Sequence, residues 1–312
     1  MQLYCKISRI TPRSTTKIQR SEIAPELSYD FVVEQWARET KSNYKPKTWR
    51  RYEQSQGQLK QHFSGRPWSD VNKDSVQKYV EDRKAAGITV ATVKRDLTIL
   101  SQAAEYAIEK RWSESNPTRD VPKRMLKYRT PTYRKPPEWC VQAIIDECPE
   151  QFRPIARFAL ATGARLDEVV PMRVADIEIE RRCATLPDTK NGSTRTIELS
   201  EEALTVVRGQ LKNACNGWLF ASSRGTPYAE ASSVWSAAVR AAQKKHGGLV
   251  RTSFHGLRHL YAIGYLASGG NIYWLQIQLG HGSVKVTERY LQHLTPTEGL
   301  VAQFGTGTRA DD

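Results

Sequence analysis

The chain has no apolar run long enough to cross a bilayer. Its longest runs, such as residues 158–161, are short, whereas a spanning helix needs about 20 apolar residues. The N-terminal segment also lacks the apolar region of a secretory signal peptide. The apolar fraction is an ordinary 39% and the prolines follow no period, which argues against collagen-like and globally disordered chains. We therefore expect a soluble, cytoplasmic protein with no membrane partner.

Signatures of metal and nucleotide sites are missing as well. The five cysteines are scattered, and none pairs with a second Cys or a His at zinc-site spacing. The chain contains no GxGxxG, no GxxxxGK[ST], no HExxH and no GxSxG motif. These absences remove the usual support for ATP-dependent, dinucleotide-dependent and zinc-protease functions. We expect reduced thiols, no metal and no cofactor.

Positive charge is abundant and unevenly distributed. The chain has 47 basic and 33 acidic side chains, a net charge of +14. Residues 1–136 hold 28 basic and 15 acidic groups (net +13), whereas residues 137–312 hold 19 and 18 (net +1). A basic half of this size is typical of proteins that bind nucleic acid, because phosphates add a large electrostatic contribution to affinity. A merely basic soluble surface is the alternative.

Hydrophobic periodicity divides the first half of the chain into three parts. Residues 1–26 are basic and aperiodic, which predicts a mobile arm, although a transit peptide has similar chemistry. Residues 27–116 contain four segments with apolar residues at helical spacing, which predicts a compact all-α domain. Prolines among Arg and Lys in residues 117–136 predict an extended basic linker.

The second half is predicted to be mainly helical with one small sheet. Residues 177–179, 183–186 and 196–199 have the short alternating pattern of strands, with a Lys-Asn-Gly turn before the third. Helical patterns occupy most of the rest of residues 137–298, and residues 299–312 form a tail. The expected fold class is mainly α with a small antiparallel β-sheet, in two domains.

Basic and hydrogen-bonding residues recur at the predicted element boundaries of this second half. Taken singly, each has an ordinary structural explanation, such as a surface ion pair, a helix cap or a half-buried tyrosine. Taken together, two arginines, a lysine and two histidines near a tyrosine would repel one another unless an anion neutralised them. A DNA phosphate is the anion that suits a chain this basic. The candidate residues are Arg165, Glu168, Lys190, His255, Arg258, His281 and Tyr290.

At these positions the sequence resembles the tyrosine recombinase (phage integrase) family. The motifs are Thr-Gly-Ala-Arg-Leu-Asp-Glu at 162–168, His-Gly-Leu-Arg-His at 255–259, and Leu-Gly-His at 279–281 followed by Tyr290. Their order and separation match the family, and the resemblance extends over about residues 27–295.

The resemblance implies a DNA breaking and rejoining enzyme that forms a 3′-phosphotyrosyl intermediate and frees a 5′-hydroxyl. Tyr290 would be the nucleophile. Arg165 and Arg258 would clamp the scissile phosphate, since a guanidinium can bond two oxygens at once. His281 would donate a further hydrogen bond to that phosphate.

Three further roles follow from the same resemblance. His255 would accept the proton of the tyrosine or would order the site around it. Lys190 would protonate the departing 5′-oxygen as a general acid, and Glu168 would support Arg165. Because a phosphotyrosine conserves the energy of the phosphodiester, the reaction would require neither ATP nor a metal.

The family architecture implies a C-shaped clamp around double-stranded DNA. Residues 27–116 would be the helical core-binding domain, and residues 137–298 the mixed α/β catalytic domain. Recombination of two DNA sites implies a homotetramer on DNA, with the residues after Tyr290, especially 291–304, docking on a neighbouring subunit. Accessory DNA-bending or directionality factors and a nucleoid-associated location are consistent with this reaction.

Several functions remain open from the sequence. Within the family, the basic arm and the context of Tyr290 favour an integrase of a phage or other mobile element. A housekeeping recombinase that resolves chromosome dimers is the alternative. From other classes, a catalytically silent DNA-binding regulator and a type IB topoisomerase-like enzyme are also compatible with parts of the pattern.

Overall fold

The protein is described from a computed structural model that covers residues 27–128, 133–187 and 194–294. The predicted arm (1–26), Lys190 and the predicted tail (299–312) lie outside the described residues. The chain divides into two compact units, Met1–Pro131 and Thr132–Asp312. Among the described residues, no helix is both long and apolar enough to cross a membrane.

The first unit contains the four helices that the periodicity predicts. Three of them begin at a side-chain cap, in which the oxygen of Ser28, Asn72 or Thr89 accepts a backbone N–H of the first turn. The second helix begins with Pro46 in its first turn, where a missing N–H costs nothing. The four helices are α1 (Tyr29–Thr40), α2 (Pro46–Phe63), α3 (Lys73–Ala85) and α4 (Val90–Glu109).

Large aromatic side chains fill the core of this unit. Tyr29, Trp36 and Phe63 are each almost completely buried. One buried carboxylate, Asp96, accepts a hydrogen bond of 2.9 Å from the Tyr79 hydroxyl, and this bond compensates for part of its lost hydration.

The segment predicted as an extended linker differs in its first part. Val121 is buried in the core of the first unit, and Met125 and Leu126 pack against the same core. The short 3₁₀ helix Lys123–Leu126 brings them there. The few apolar residues of this proline-rich stretch are close enough in sequence to reach one core, which the composition of the stretch does not reveal.

The second unit contains eight helices among the described residues. It also has 3₁₀ turns at Glu150–Phe152, Val174–Asp176 and Glu288–His293. The helices are α5 (Glu138–Asp146), α6 (Arg153–Thr162), α7 (Leu166–Val169), α8 (Glu201–Leu211), α9 (Ala231–Lys245), α10 (Phe254–Ala267), α11 (Ile272–Leu279) and α12 (Val284–Thr287).

The sheet of the second unit has three antiparallel strands in the order β1 (Ile177–Glu178), β2 (Cys183–Pro187) and β3 (Thr194–Glu198). Ala184 pairs with Ile197, and both are buried on the face that packs against the helices. The third strand begins two residues before the predicted start at 196, because its ladder with β2 extends to the pair Pro187–Thr194.

The last predicted helix, 284–293, is also different. It is α-helical only over Val284–Thr287 and continues as the 3₁₀ turn Glu288–His293. Valine and threonine are weak helix formers, and 3₁₀ turns are frequent where short helices end. Tyr290 therefore lies on the tighter turn and not on an α-helix.

Candidate active site

Tyr290 lies at the centre of the predicted site and is buried, with 2% of its surface exposed. It packs against the apolar face of α10 and α11. Its hydroxyl is 3.1 Å from Nδ1 of His259, and its ring lies nearly parallel to that of His281, at 6.3 Å between centroids. Burial raises the pKa of Tyr290, while Arg258 and Arg289 act against this rise.

Arg258 joins the C-terminal ends of two helices. Its Nη1 donates to the carbonyl of Gly163 at 2.9 Å, and its Nη2 donates to the carbonyl of Leu279 at 2.6 Å. Carbonyls at helix C-termini lack intrahelical partners and carry partial negative charge. Arg258 as a whole is 1% exposed, and burial, followed by the nearby charge of Arg165, lowers the pKa of its guanidinium to about 10.

Both of these helices end at a glycine with a left-handed backbone. Gly163 has φ +70°, and a Cβ built there would lie 2.5 Å from the Tyr261 ring and 2.7 Å from Leu279. Gly280 has φ +66°, and a Cβ there would lie 2.8 Å from Cδ of Arg195. The two glycines therefore allow a close approach of side chains that hold the site together.

We expect Gly163→Ala to lower the free energy of unfolding by about 1–3 kcal/mol, because both its φ and its missing Cβ are required. Chemical denaturation of the purified protein measures this change. Gly264→Ala is the matched control, since Gly264 lies inside α10 with nothing within 4 Å of its added Cβ. Equal stability of the two variants would contradict the argument.

Glu168 is a buried carboxylate held by two arginines. It receives hydrogen bonds from the backbone N–H of Arg165 at 2.7 Å and from Nη1 of Arg165 at 2.8 Å. Arg195 on β3 adds two parallel bonds of 2.6 and 2.9 Å. Burial opposes ionisation of this carboxyl, but the bonds and charge of Arg195, together with Arg165, hold its pKa below the usual value.

His281 follows the left-handed Gly280 directly. Its Nδ1 lies 2.8 Å from Oγ1 of Thr287, a residue with no exposed surface. Burial, followed by the positive charges of Arg258 and Arg165, lowers the pKa of His281 to about 4. The imidazole is therefore neutral at pH 7, and Thr287 fixes the orientation of its ring.

Two more histidines lie one turn apart on α10. The exposed His255 contacts the ring of His259 edge to face, at 4.8 Å between centroids. Partial desolvation of the ring, followed by the positive charge of Arg258, lowers the pKa of His255. The pKa of His259 is lowered further, to about 4, by burial and then by His255.

Six of the seven predicted site residues therefore lie in one neighbourhood of the second unit. The seventh, Lys190, falls outside the described residues, between β2 and β3. Three residues with no role in the sequence motifs bond directly to members of the set: His259, Arg195 and Thr287. His259 could have been recognised from its place four residues after His255, on the same helix face.

The chemistry available here is that of anion binding. Arg165 keeps 41% of its side chain exposed, and its charge acts on the nearby Arg258, His255 and His281. In the described parts of the chain, no cluster of three or more His, Cys, Asp or Glu residues could hold a metal ion. A group of arginines around a buried tyrosine hydroxyl suits a phosphodiester.

Residues 139–296, half of the chain, match the family model described as "Phage integrase family". The chain belongs to this family, the tyrosine recombinases. Its members are DNA-cleaving and rejoining enzymes. The family resemblance inferred from the three motifs is thereby confirmed.

Relatives of two kinds match this tyrosine recombinase chain at similar identity. The integrase of Salmonella phage P22 is 27% identical over 168 residues, which cover 49% of this chain and 42% of that integrase. Tyrosine recombinase XerC of Roseiflexus castenholzii is 26% identical over 247 residues, covering 72% and 74% respectively. The match thus spans less than half the length of the phage relative and about three quarters of XerC.

Solved structures share the fold of this tyrosine recombinase. A lambda integrase dimer bound to a COC′ core site superposes with a TM-score of 0.71 at 20% identity, covering 83% of this chain and 97% of that one. A lambda integrase tetramer bound to a Holliday junction gives 0.72 at 19%, covering 85% and 78%. The predicted fold class, mainly helical with a small antiparallel sheet, is confirmed.

Proposed function

We propose that this chain is a site-specific DNA recombinase that cuts and rejoins strands through a 3′-phosphotyrosyl intermediate on Tyr290. The observation that carries the proposal is the placement of the Tyr290 hydroxyl, which is buried, hydrogen-bonded to His259 and surrounded by arginines and histidines. Ordinary packing of a buried tyrosine does not require the positive charges of Arg258, Arg289 and Arg165 close to its hydroxyl. A scissile phosphate neutralises them.

Arg165, Arg258 and His281 bind the scissile phosphate in this proposal. The two guanidiniums stay charged at neutral pH and match the geometry of phosphate oxygens. Their positions are fixed before DNA arrives: Glu168 holds Arg165, and two helix ends hold Arg258. Fixed donors aimed at developing charge stabilise a pentavalent phosphorane without reorganisation.

The bond changes follow from these positions. The Tyr290 oxygen attacks phosphorus, the bond from phosphorus to the 5′-oxygen breaks, and a free 5′-hydroxyl results. Lys190, which we expect from the family resemblance to lie on the turn between β2 and β3, protonates the leaving oxygen. His255, at the exposed rim, orders the site around the phosphate. Because the phosphotyrosine keeps the energy of the phosphodiester, no ATP or metal is needed.

The proposed partners are double-stranded recombination sites and further copies of this chain. Of the chain's net charge of +14, +13 falls within residues 1–136, which suits contact with DNA phosphates. The structural neighbours include integrases bound to DNA, one of them a tetramer on a Holliday junction. We propose a homotetramer on DNA, accessory DNA-bending or directionality factors, and a cytoplasmic, nucleoid-associated location.

The proposed division of labour follows the sequence. Residues 27–116 form the core-binding domain and residues 137–298 the catalytic domain, joined through 117–136. Residues 1–26 act as a basic arm, and the residues after Tyr290, especially 291–304, dock on a neighbouring subunit, with residues 299–312 as the C-terminal tail. An integrase of a mobile element is the first candidate, and a housekeeping chromosome-dimer resolvase is the second, since XerC matches 72% of the chain.

The test is a covalent adduct between the protein and DNA. We expect adducts when the protein is incubated with sheared source DNA in EDTA and quenched with detergent, and none with Tyr290→Phe. Tyr133→Phe is the matched control, since its hydroxyl bonds the Gly256 carbonyl beside the same site. An adduct that persists in Tyr290→Phe would contradict the proposal. Sequencing of the trapped ends distinguishes attachment sites of a mobile element from a chromosomal resolution site.

A further inference from the structure

We propose that His259 holds the Tyr290 hydroxyl for attack and accepts its proton as the bond to phosphorus forms. This inference rests on the proposed function of Tyr290 and goes beyond it by assigning the proton acceptor. The sequence motif directs attention to His255, which lies three residues before Arg258. In the structure, it is His259 whose Nδ1 reaches the tyrosine hydroxyl, at 3.1 Å.

The charges near the hydroxyl favour one direction for this hydrogen bond. Arg258 and Arg289 place positive charge near the Tyr290 oxygen, which favours an orientation in which the lone pairs of the oxygen face the guanidiniums. In the proposed arrangement the hydroxyl hydrogen therefore points to Nδ1 of His259. A neutral imidazole that accepts at Nδ1 carries its own hydrogen on Nε2.

The surroundings keep His259 ready to accept. Burial lowers the pKa of His259 to about 4, so the imidazole is neutral at pH 7 and one of its ring nitrogens can accept a hydrogen bond. The ring is held in place by Tyr133, at 4.7 Å between centroids, and by His255 at 4.8 Å. The titratable and charged groups that face it are His255 and Arg258 on α10, Arg289, Tyr290 and His293 on the 3₁₀ turn, and Tyr133.

His255 is placed differently. The side chain of His255 is exposed, and among the ring contacts and hydrogen bonds of the described residues it contacts the ring of His259 but not the hydroxyl of Tyr290. His259 therefore lies between Tyr290 and His255: it contacts the nucleophile, and His255 lies at the exposed rim. Such a placement suits His255 for ordering and His259 for the proton.

In this step one proton is transferred, and a bond from phosphorus to the tyrosine oxygen replaces the bond from phosphorus to the 5′-oxygen. The hydroxyl proton of Tyr290 passes to Nδ1 of His259, which becomes an imidazolium, and the oxygen pair forms the bond to phosphorus. The bond from phosphorus to the 5′-oxygen breaks, and Lys190 or water protonates that oxygen. The incoming phosphate favours the imidazolium, since its negative charge enters a site of like positive charges. On rejoining, the proton returns to the tyrosine oxygen.

The test compares His259→Asn with His255→Asn in single-turnover cleavage of a duplex that carries the sequence recovered from trapped adducts. Asparagine places an oxygen where Nδ1 was, so it keeps the hydrogen bond but cannot take a proton. We expect cleavage by His259→Asn to fall roughly 10²-fold or more at pH 7, with unchanged binding of the same duplex. Between pH 6 and 9 its rate should rise about tenfold per pH unit, since solvent must ionise the phenol.

The wild type and His255→Asn should instead keep a flat profile over this pH range. A flat profile for His259→Asn, or the steep one for His255→Asn, overturns the assignment. Absence of any adduct from the wild type overturns the proposed function itself, so the two failures are distinguishable.

A second measurement does not depend on the variant folding or on activity. In a ¹⁵N spectrum of the six histidines, Nδ1 of His259 should be unprotonated and shifted upfield by the hydrogen bond it accepts. In Tyr290→Phe the same signal should move downfield. An unchanged signal contradicts the hydrogen bond on which the inference stands.

Discussion

Arg258→Ala should lower the rate of strand cleavage by about 10²- to 10³-fold, the loss typical of a preorganised donor to developing charge. It should also destabilise the second unit, because the carbonyls of Gly163 and Leu279 lose their partner. Each buried carbonyl at the C-terminal end of a helix that loses its hydrogen-bond partner costs about 1–3 kcal/mol. Activity and stability are therefore expected to fall together in this variant.

Arg258→Lys separates the two effects. A lysine keeps the positive charge, but it lacks the planar guanidinium with which arginine can contact two carbonyls and a phosphate at once. We expect it to recover part of the stability and little of the cleavage rate, as measured by denaturation and by single-turnover assays. Arg181→Ala is the control for loss of an exposed arginine, since its ion pair with Glu178 lies at the surface. Full cleavage by Arg258→Lys would contradict the proposed role.

Glu168→Gln should lower the free energy of unfolding by about 3–5 kcal/mol, the cost of removing one member of a buried charge network. Glutamine keeps the shape of the side chain, but it leaves Arg195 and Arg165 without a counter-charge. We also expect slower cleavage, because Arg165 loses the group that fixes its position. Glu178→Gln, at an exposed ion pair, is the matched control.

The difference in stability between the wild type and Glu168→Gln should decrease as the pH falls. The pKa of Glu168 lies below its ordinary value of 4.5 in the folded protein, so the unfolded chain binds its proton more readily. Its contribution should be fully present above about pH 4.5 and should be lost as the pH falls through the lower, folded pKa. Denaturation of both proteins from pH 7 to pH 3 measures this. A stability difference that stays constant down to pH 3 would contradict the account.

Much of the fold was predictable because it depends on local patterns. The stripe of apolar residues over α4 and the proline at the start of α2 specify helices within a single stretch of sequence. The start of β3 and the 3₁₀ turn that carries Tyr290 were not predicted, since both depend on pairing and packing with distant segments.

In the site, too, the contacts between residues close in sequence were predictable and those between distant residues were not. Glu168 was predicted to support Arg165 because the two lie three residues apart, within one turn. The bond from Arg195 to the same carboxylate joins residues 27 positions apart, and no local pattern indicates it. The bond between His259 and Tyr290 spans 31 positions, so the sequence motif could supply the histidine but not its partner.

The central claim is that Tyr290 becomes covalently joined to a DNA 3′-phosphate. Nuclease digestion of the trapped adduct, followed by mass spectrometry of its peptides, tests this most directly. We expect a nucleotide 3′-phosphate on the peptide that contains Tyr290, and a released DNA end that a kinase labels without prior phosphatase treatment. A nucleotide on any other residue, or a released end that carries a 5′-phosphate, would contradict the account.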